Sequence, residues 1–259
     1  MATRILSGML LLPLLLIVFI KGIPLYLASL ILTIIAIKEL TNALKVKNLD
    51  VYPGLGYVLA IVVFLKNLVG LDTYMTMAIS AIFICLVMIY ILKVRKSILN
   101  LSKYLLGIAY VILGFDAVVV VTNNFSGGDK YVWLIFIIAL LSDTMAYFVG
   151  SMFGKHKLAP KLSPKKTIEG SMGAIIFSAT GCVIFGMAFN LSPIAMIIVG
   201  SLGSVISQIG DLIASFVKRY VGIKDYGNLI PGHGGILDRF DSVILVSQFI
   251  YLVLLIKIF

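Results

Sequence analysis

Charge is scarce in this sequence. Its 259 residues include only 21 Lys and Arg and 11 Asp and Glu, so 12% of the chain is charged, against about a quarter in ordinary soluble domains. So few charges cannot cover the apolar surface of a soluble globule this long, which excludes a soluble enzyme and a disordered chain. Cysteine is almost absent. Cys85 and Cys182 both lie inside apolar runs, which excludes a disulfide framework or a zinc site and leaves two buried, free thiols. No low-complexity tract, internal repeat or loop long enough to fold alone interrupts the chain.

What is present is apolar: 61% of the residues are hydrophobic. They run continuously rather than alternating, which argues for membrane helices and against an outer-membrane barrel. The fold class is therefore all-α, a polytopic transmembrane helical bundle. About nine spans are expected, at Ile5–Ile20, Pro24–Ile37, Pro53–Leu71, Tyr74–Leu92, Tyr104–Thr122, Tyr131–Gly150, Ser171–Phe189, Pro193–Ile213 and Val243–Phe259. The first two are short, and Lys21, Gly22 and Ile23 between them predict a tight hairpin or a broken helix. The first also resembles a signal peptide, but no small-residue cleavage site follows it, so it is read as a membrane segment.

With nine spans and the N-terminus inside, every Lys and Arg except Lys21, Lys66, Lys130 and Lys257 falls on one side. Basic residues mark the cytoplasmic side. The +10 net charge is thus topology rather than a sign of nucleic acid, and loops 151–170 and 214–242 face the cytoplasm. Residues 1–103 form an N-terminal half poor in polar signals. Its acidic residues, Glu39, Asp50 and Asp72, lie near expected helix ends and read as solvated interfacial charge.

Residues 104–259 hold the chemistry. In Lys161-Leu-Ser163-Pro164-Lys165-Lys166-Thr167-Ile-Glu169-Gly170, two lysines precede an expected helix start with Thr167 as its N-cap. Gly170 permits a close approach. Cations beside a helix N-terminus oppose its dipole unless an anion joins them. The segment reads either as a phosphate site or as an ordinary positive-inside loop. Asp143 lies in an apolar span, where a carboxylate costs about 2.5–3.5 kcal/mol and is functional by default. The alternative is a packing hydrogen bond to Ser142 or Thr144. Asp116 has the same form without polar sequence neighbours. Gly200, Gly203, Ser204, Ser207, Gly210 and Ala214 make a small-residue face that suits close helix packing, in a homodimer or within one chain. Asp211 beside that face needs another explanation, and a cation is the obvious one.

The last loop carries Lys218-Arg219, Lys224-Asp225, Pro231-Gly-His233-Gly234-Gly235, Asp238-Arg239 and Asp241. Its glycines permit backbone conformations closed to other residues. Asp238 and Asp241 share a helical face. Paired carboxylates bind Mg²⁺ where nucleotide phosphates are handled, and basic neighbours suit a polyanion. The alternative is a salt-bridged connector.

This loop resembles the signature of the phosphatidate cytidylyltransferase (CDP-diacylglycerol synthase) family, bacterial type. Every defined position matches: Ser215, Lys218-Arg219, Lys224-Asp225, Gly227, Ile230-Pro231, His233-Gly234-Gly235, Asp238-Arg239 and Asp241. Residues 163–170, 142–147 and Gly210-Asp211 resemble further blocks of the family. The first hundred residues resemble it only in being apolar.

The resemblance implies an inner-membrane enzyme of phospholipid synthesis with its active site facing the cytoplasm. The implied reaction is CTP plus phosphatidate giving CDP-diacylglycerol and pyrophosphate. It implies Mg²⁺ held by Asp211 and Asp238, with room for a second cation such as K⁺. Catalytic roles then fall to Asp211, Asp238, Asp241, Lys218, Arg219 and His233. Substrate and phosphate binding fall to Ser163, Lys165, Lys166, Thr167, Glu169, Lys224, Asp225, Gly234, Gly235, Arg239 and Asp143. His233 reads as a phosphate donor or as a loop-shaping residue. The rivals are another Mg²⁺-dependent membrane transferase, a CDP-alcohol phosphotransferase, and a transporter with Asp116, Asp143 and Asp211 as a cation path. The first rival lacks the His-Gly-Gly…Asp-Arg…Asp loop, and the Asp-Gly…Ala-Arg…Gly…Asp…Asp pattern of the second is absent here.

Overall fold

The computed structural model describes residues 20–49, 51–70, 98–229 and 234–257. Seven α-helices and one hairpin occur among them. In chain order these are α1 (Ile23–Val46), α2 (Pro53–Val69), α3 (Ile98–Asn124), α4 (Gly128–Phe153), β1 (Lys157–Ala159), β2 (Ser163–Thr167), α5 (Ile168–Ala188), α6 (Pro193–Val221) and α7 (Leu237–Leu255).

Five helices (α1, α3, α4, α5 and α6) are long and apolar enough to cross a membrane, while α2 is apolar but only 17 residues long. The protein is thus a multi-pass membrane protein of the all-α class. Seven of the nine expected spans coincide with described helices. The expected span 74–92 lies outside the described residues, as does all of 5–20 except Ile20.

Proline marks the first turn of α1, α2 and α6 (Pro24, Pro53 and Pro193), where its missing N–H has no intrahelical partner to lose. Other boundaries depart from the sequence expectation in one direction: the helices run further into polar sequence. α1 is not short. It passes Lys38 and Glu39 and reaches Val46. Loop 214–242 is helical at both ends, because α6 continues to Val221 and α7 begins at Leu237. Hydropathy stops a span at its first charge, whereas here Glu39, Lys218, Arg219 and Asp238 find partners and the backbone continues. Loop 151–170 also holds the antiparallel pair β1–β2, with Lys157 opposite Thr167 and Ala159 opposite Ser163.

Contacts fix which helix ends meet. At one end Lys21 pairs with Asp129 at 3.3 Å, and Gly22 N–H donates to Asn123 Oδ1 at 3.2 Å. At the other, Lys47 Nζ donates to the Tyr220 carbonyl at 2.8 Å and Lys103 Nζ to the Tyr220 hydroxyl at 3.1 Å. The C-terminal ends of α1, α4 and α6 therefore gather with the N-terminal ends of α3, α5 and α7, and the hairpin lies there too.

Two apolar clusters fill the interior. One joins α4, α5, α6 and α7 through Ile135, Ile138, Cys182, Met196, Val199, Val246 and Ile250. The other joins α1 and α3 to the C-terminal loop through Ile37, Leu40, Tyr104, Ile108, Tyr226, Ile236 and Leu237. Cys182 is buried and free; Cys85 lies outside the described residues.

The small-residue face of α6 is used within the chain. A Cβ on Gly200 would lie 2.7 Å from the Ala179 Cα of α5, and one on Gly210 would lie 2.7 Å from the Asp241 carbonyl of α7. Outward faces carry aliphatic side chains such as Leu106, Ile184, Met187 and Ile194, each more than half exposed. These are the surfaces a bilayer covers.

Candidate active site

The polar residues singled out in the C-terminal half converge at the end of the bundle that carries the hairpin. Thr167 ends β2 and caps α5, its Oγ1 accepting from Gly170 N–H at 3.1 Å, a contact that contributes about 1 kcal/mol. Gly170 lets α5 approach α4 closely, for a Cβ there would lie 2.5 Å from the Ala146 carbonyl. The β1–β2 ladder is irregular between Lys157 and Ala159, and β2 does not alternate strictly: Pro164 and Lys165 are exposed, whereas Lys166 is half-buried and Thr167 buried. Lys166 turns inward to Asp211, Nζ to Oδ2 2.6 Å. Asp211 lies on α6 and also accepts from Ser215 Oγ at 3.4 Å.

Glu169 works on the hairpin itself. It accepts from Lys155 N–H at 3.1 Å and from His156 N–H at 3.2 Å, and its Oε1 lies 2.7 Å from His156 Nδ1. Arg219 reaches the hairpin tip from α6, Nε donating to the Leu162 carbonyl at 3.5 Å, and a second bond runs from Nη1 to the Ile223 carbonyl. Both residues, expected to bind substrate or catalyse, thus also hold the segment that carries Lys166. Ser163 is half-buried on β2. Lys224, Asp225 and Arg239 are exposed around the rim.

Asp238 sits in the first turn of α7 with its side chain 3% exposed. Oδ1 accepts from Lys218 Nζ at 2.8 Å, and Oδ2 accepts from Tyr226 N–H at 2.8 Å and Gly235 N–H at 3.0 Å. This carboxylate therefore folds the loop back onto its helix. Gly234 has φ +86°, and a Cβ on it would lie 2.7 Å from Asp238 Oδ2. Here the glycine makes room for the protein's own carboxylate. Tyr226 donates its hydroxyl to the Ala214 carbonyl at 3.2 Å. Burial, with Asp238 and Asp241 close by, pushes its phenol above the usual tyrosine range and keeps it a donor. His233, Pro231 and Ile230 lie outside the described residues.

Asp241 is buried one turn further along α7, with Oδ1 accepting from Ser242 N–H at 2.8 Å. Ser242 Oγ donates to the Asp143 carboxylate of α4, 3.2 Å from either oxygen. The expected partners of Asp143, Ser142 and Thr144, are thus replaced by a residue 99 positions away; Ser142 instead accepts from Ser204 at 3.1 Å. Asp143, Asp211 and Asp241 lie near enough for their charges to act on one another, with Lys166 and Arg239 acting on Asp143 and Lys218 on Asp241.

Among the described residues no three His, Cys, Asp or Glu side chains converge into a ready metal site. The donors are hard carboxylate oxygens. Mg²⁺ characteristically takes one or two of these and completes its shell with water and substrate phosphates, so Asp211 with one further carboxylate fits that ion chemically.

Three residues here escaped the sequence reading. Tyr110 of α3 donates its hydroxyl to the Asp241 carbonyl at 2.9 Å. Ser242 bridges α7 to α4. Glu39 is 7% exposed, and its oxygens accept from Ile236 N–H at 3.0 Å and Leu237 N–H at 2.8 Å. The expectation of a solvated Glu39 is therefore wrong. The rule applied to Asp143, that a carboxylate in an apolar run demands a partner, would have found it. Asp116 is likewise not isolated, since Lys66 Nζ donates to it at 2.8 Å and Asn67 Nδ2 at 2.7 Å, both from α2.

The carboxylates and lysines sit in a chain whose residues 2–257 match the family described as the cytidylyltransferase family. A phosphatidate cytidylyltransferase of Staphylococcus haemolyticus (strain JCSC1435) is 36% identical over 98% of this chain and 97% of that protein. One from Bacillus subtilis (strain 168) is 39% identical over 54% of this chain and 53% of its own length. One from Staphylococcus aureus (strain COL) is 42% identical over 50% and 51%. With a family match that begins before α1 and ends after α7, the chain belongs to the cytidylyltransferase family.

Proposed function

We propose that this protein is an integral-membrane phosphatidate cytidylyltransferase that converts CTP and phosphatidate to CDP-diacylglycerol and pyrophosphate. The observation that carries this reading is the gathering of Asp143, Asp211, Asp238 and Asp241 with Lys166 and Lys218 at one end of an apolar bundle, in a chain similar along its whole length to proteins of that name.

In the reaction a phosphate oxygen of phosphatidate attacks the α-phosphorus of CTP. A new P–O bond forms, the α–β bridging bond breaks, and its electron pair leaves with pyrophosphate. The attacking oxygen is already anionic near neutral pH, so the protein's task is positioning and charge neutralisation. Lys166 and Lys218 present ammonium groups beside the carboxylates. Lys165, Lys224, Arg219 and Arg239 supply positive charge at the rim, where a triphosphate enters from water, and His233 belongs to the same loop. The α5 N-terminus adds its dipole near Ser163 and Thr167. Mg²⁺, when bound, supplies charge neutralisation on the triphosphate; Asp211 and Asp238 are its proposed ligands, with Asp143 and Asp241 close by. The crowding of these acids supports a second cation such as K⁺.

We place the charged end on the cytoplasmic side of the inner membrane, where CTP is found. Lys47, Lys103, Lys155, Lys157, Lys161 and Lys224 cluster there, against Lys21 and Lys130 at the opposite end. The acyl chains then stay in the bilayer against the exposed aliphatic faces. A homodimer, if formed, uses a surface other than the buried small-residue face of α6.

The test is pyrophosphate release by the purified protein, with phosphatidate and each of the four nucleoside triphosphates, with and without EDTA. The expected outcome is CDP-diacylglycerol from CTP, abolished by EDTA and restored by Mg²⁺. Cation flux in liposomes without pyrophosphate release would overturn the reading in favour of a transporter.

A further inference from the structure

α7 begins without a cap of its own. Ile236 at its N-cap is in helical conformation and offers no side-chain hydrogen bond, although four orphan N–H groups at a helix start need partners. The partner comes from 197 residues away, where Glu39 of α1 takes the Ile236 and Leu237 N–H groups with its two oxygens. The fit leaves little room. A Cβ on Gly227 would lie 2.8 Å from Glu39 Oε1, and one on Gly235 would be closer still to that carboxylate. Two glycines of the signature loop thus grip a side chain from the other half of the chain. The next residue, Asp238, takes the Tyr226 and Gly235 N–H groups, and its charge acts on Glu39. The first turn of α7 is therefore held between two carboxylates, one on each side of the loop.

We propose that Glu39 is a positioning residue for the cytidylyl transfer. It fixes the amino end of α7, and through it Asp238 and Asp241, without touching substrate. A carboxylate suits the role because each oxygen accepts one N–H while its charge complements the helix N-terminus. A glutamine of the same shape must turn its amide N–H₂ toward one of those donors and loses that bond. The proposal rests on the transferase reading above.

The experiment compares full-length wild type, Glu39→Gln and Glu39→Asp in detergent. It measures kcat, KM for CTP and phosphatidate, thermal unfolding, and amide hydrogen exchange across residues 226–240. For E39Q we expect kcat to fall about 10- to 100-fold, the scale on which a small displacement of reacting groups acts. KM should change by less than about threefold, since substrate contacts remain. Exchange should quicken in 226–240 and not in α4 or α5. E39D keeps the carboxylate one methylene shorter and should recover part of kcat. Wild-type kcat in a folded E39Q, or a kcat loss without faster exchange in 226–240, overturns the proposal. If E39Q does not fold, E39D carries the same readings; if neither folds, Glu39 is a general stability element and the proposal is wrong. An inactive wild type would instead refute the transferase reading.

Discussion

Two lysine–aspartate pairs of equal length sit in different parts of this bundle. Lys66 and Asp116 meet at 2.8 Å between α2 and α3, with side chains 19% and 14% exposed; Lys218 and Asp238 meet at 2.8 Å between α6 and α7, at 12% and 3%. By distance and burial they are much alike. Their surroundings differ. Asn67 completes the first pair, which borders a small cavity lined by Ser29, Thr33 and apolar side chains. The second adjoins a glycine-bearing loop, two main-chain donors, and Asp241, whose charge is coupled to those of Asp211 and Asp143. Distance and burial alone therefore do not tell the two pairs apart. Only the second stands among several acidic groups and main-chain donors, and the proposed chemistry is assigned there for that reason.

The comparison can be broken by substitution. Asp238→Asn and Asp211→Asn should have the greatest consequence. Losing several kcal/mol of charge stabilisation corresponds to about a thousandfold or more in rate, measured as CTP-dependent product per folded molecule in detergent. Near wild-type turnover in either variant would remove it from the proposed metal set. Lys166→Met comes next. It leaves Asp211 without the ammonium at 2.6 Å and should lower kcat/KM for CTP about 10- to 100-fold, a loss of one to two charge-assisted contacts. A loss confined to the phosphatidate KM would assign Lys166 to the lipid instead.

Asp116→Asn sharpens the contrast from the other side. Breaking a buried pair by removing one partner destabilises by about 3–5 kcal/mol, so its Tm should fall. Turnover per folded molecule should nevertheless stay within about twofold, because the partners of Asp116, Lys66 and Asn67, lie on α2 away from the proposed site. The double variant Lys66→Met, Asp116→Leu should recover much of that stability, since well-packed apolar residues often replace a buried pair without cost. A large kcat loss in either variant would mean that the two ends of the bundle are coupled.

Much of this architecture follows from composition. Seven of the expected spans coincide with described helices, five of them long and apolar enough to cross a membrane, and Thr167 caps α5 as the Ser-Pro-Lys-Lys-Thr segment predicts. The polar chemistry gathers because α4, α5, α6 and α7 present Asp143, Thr167, Asp211 and Asp238 at the same end. Local sequence was blind to long-range satisfaction. Nothing near Glu39 says that its oxygens will meet main-chain N–H groups of α7, so hydropathy ended α1 at Ile37 and left Glu39 in water. Nor does anything near Asp143 indicate Ser242. The hairpin was missed for another reason: Lys157–Ala159 and Ser163–Thr167 are short, rich in polar residues and lack the alternating apolar pattern by which strands are recognised.

The strand carrying Lys165 and Lys166 has a consequence of irregularity. Between the pairs Lys157–Thr167 and Ala159–Ser163, β2 holds more residues than β1, and the ladder is broken there. Two neighbours, Lys166 and Thr167, can therefore face the bundle together, one on Asp211 and the other on the amino end of α5. A regular ladder turns neighbouring side chains to opposite faces, so a hairpin straightened by deletion would have to give up one contact or the other.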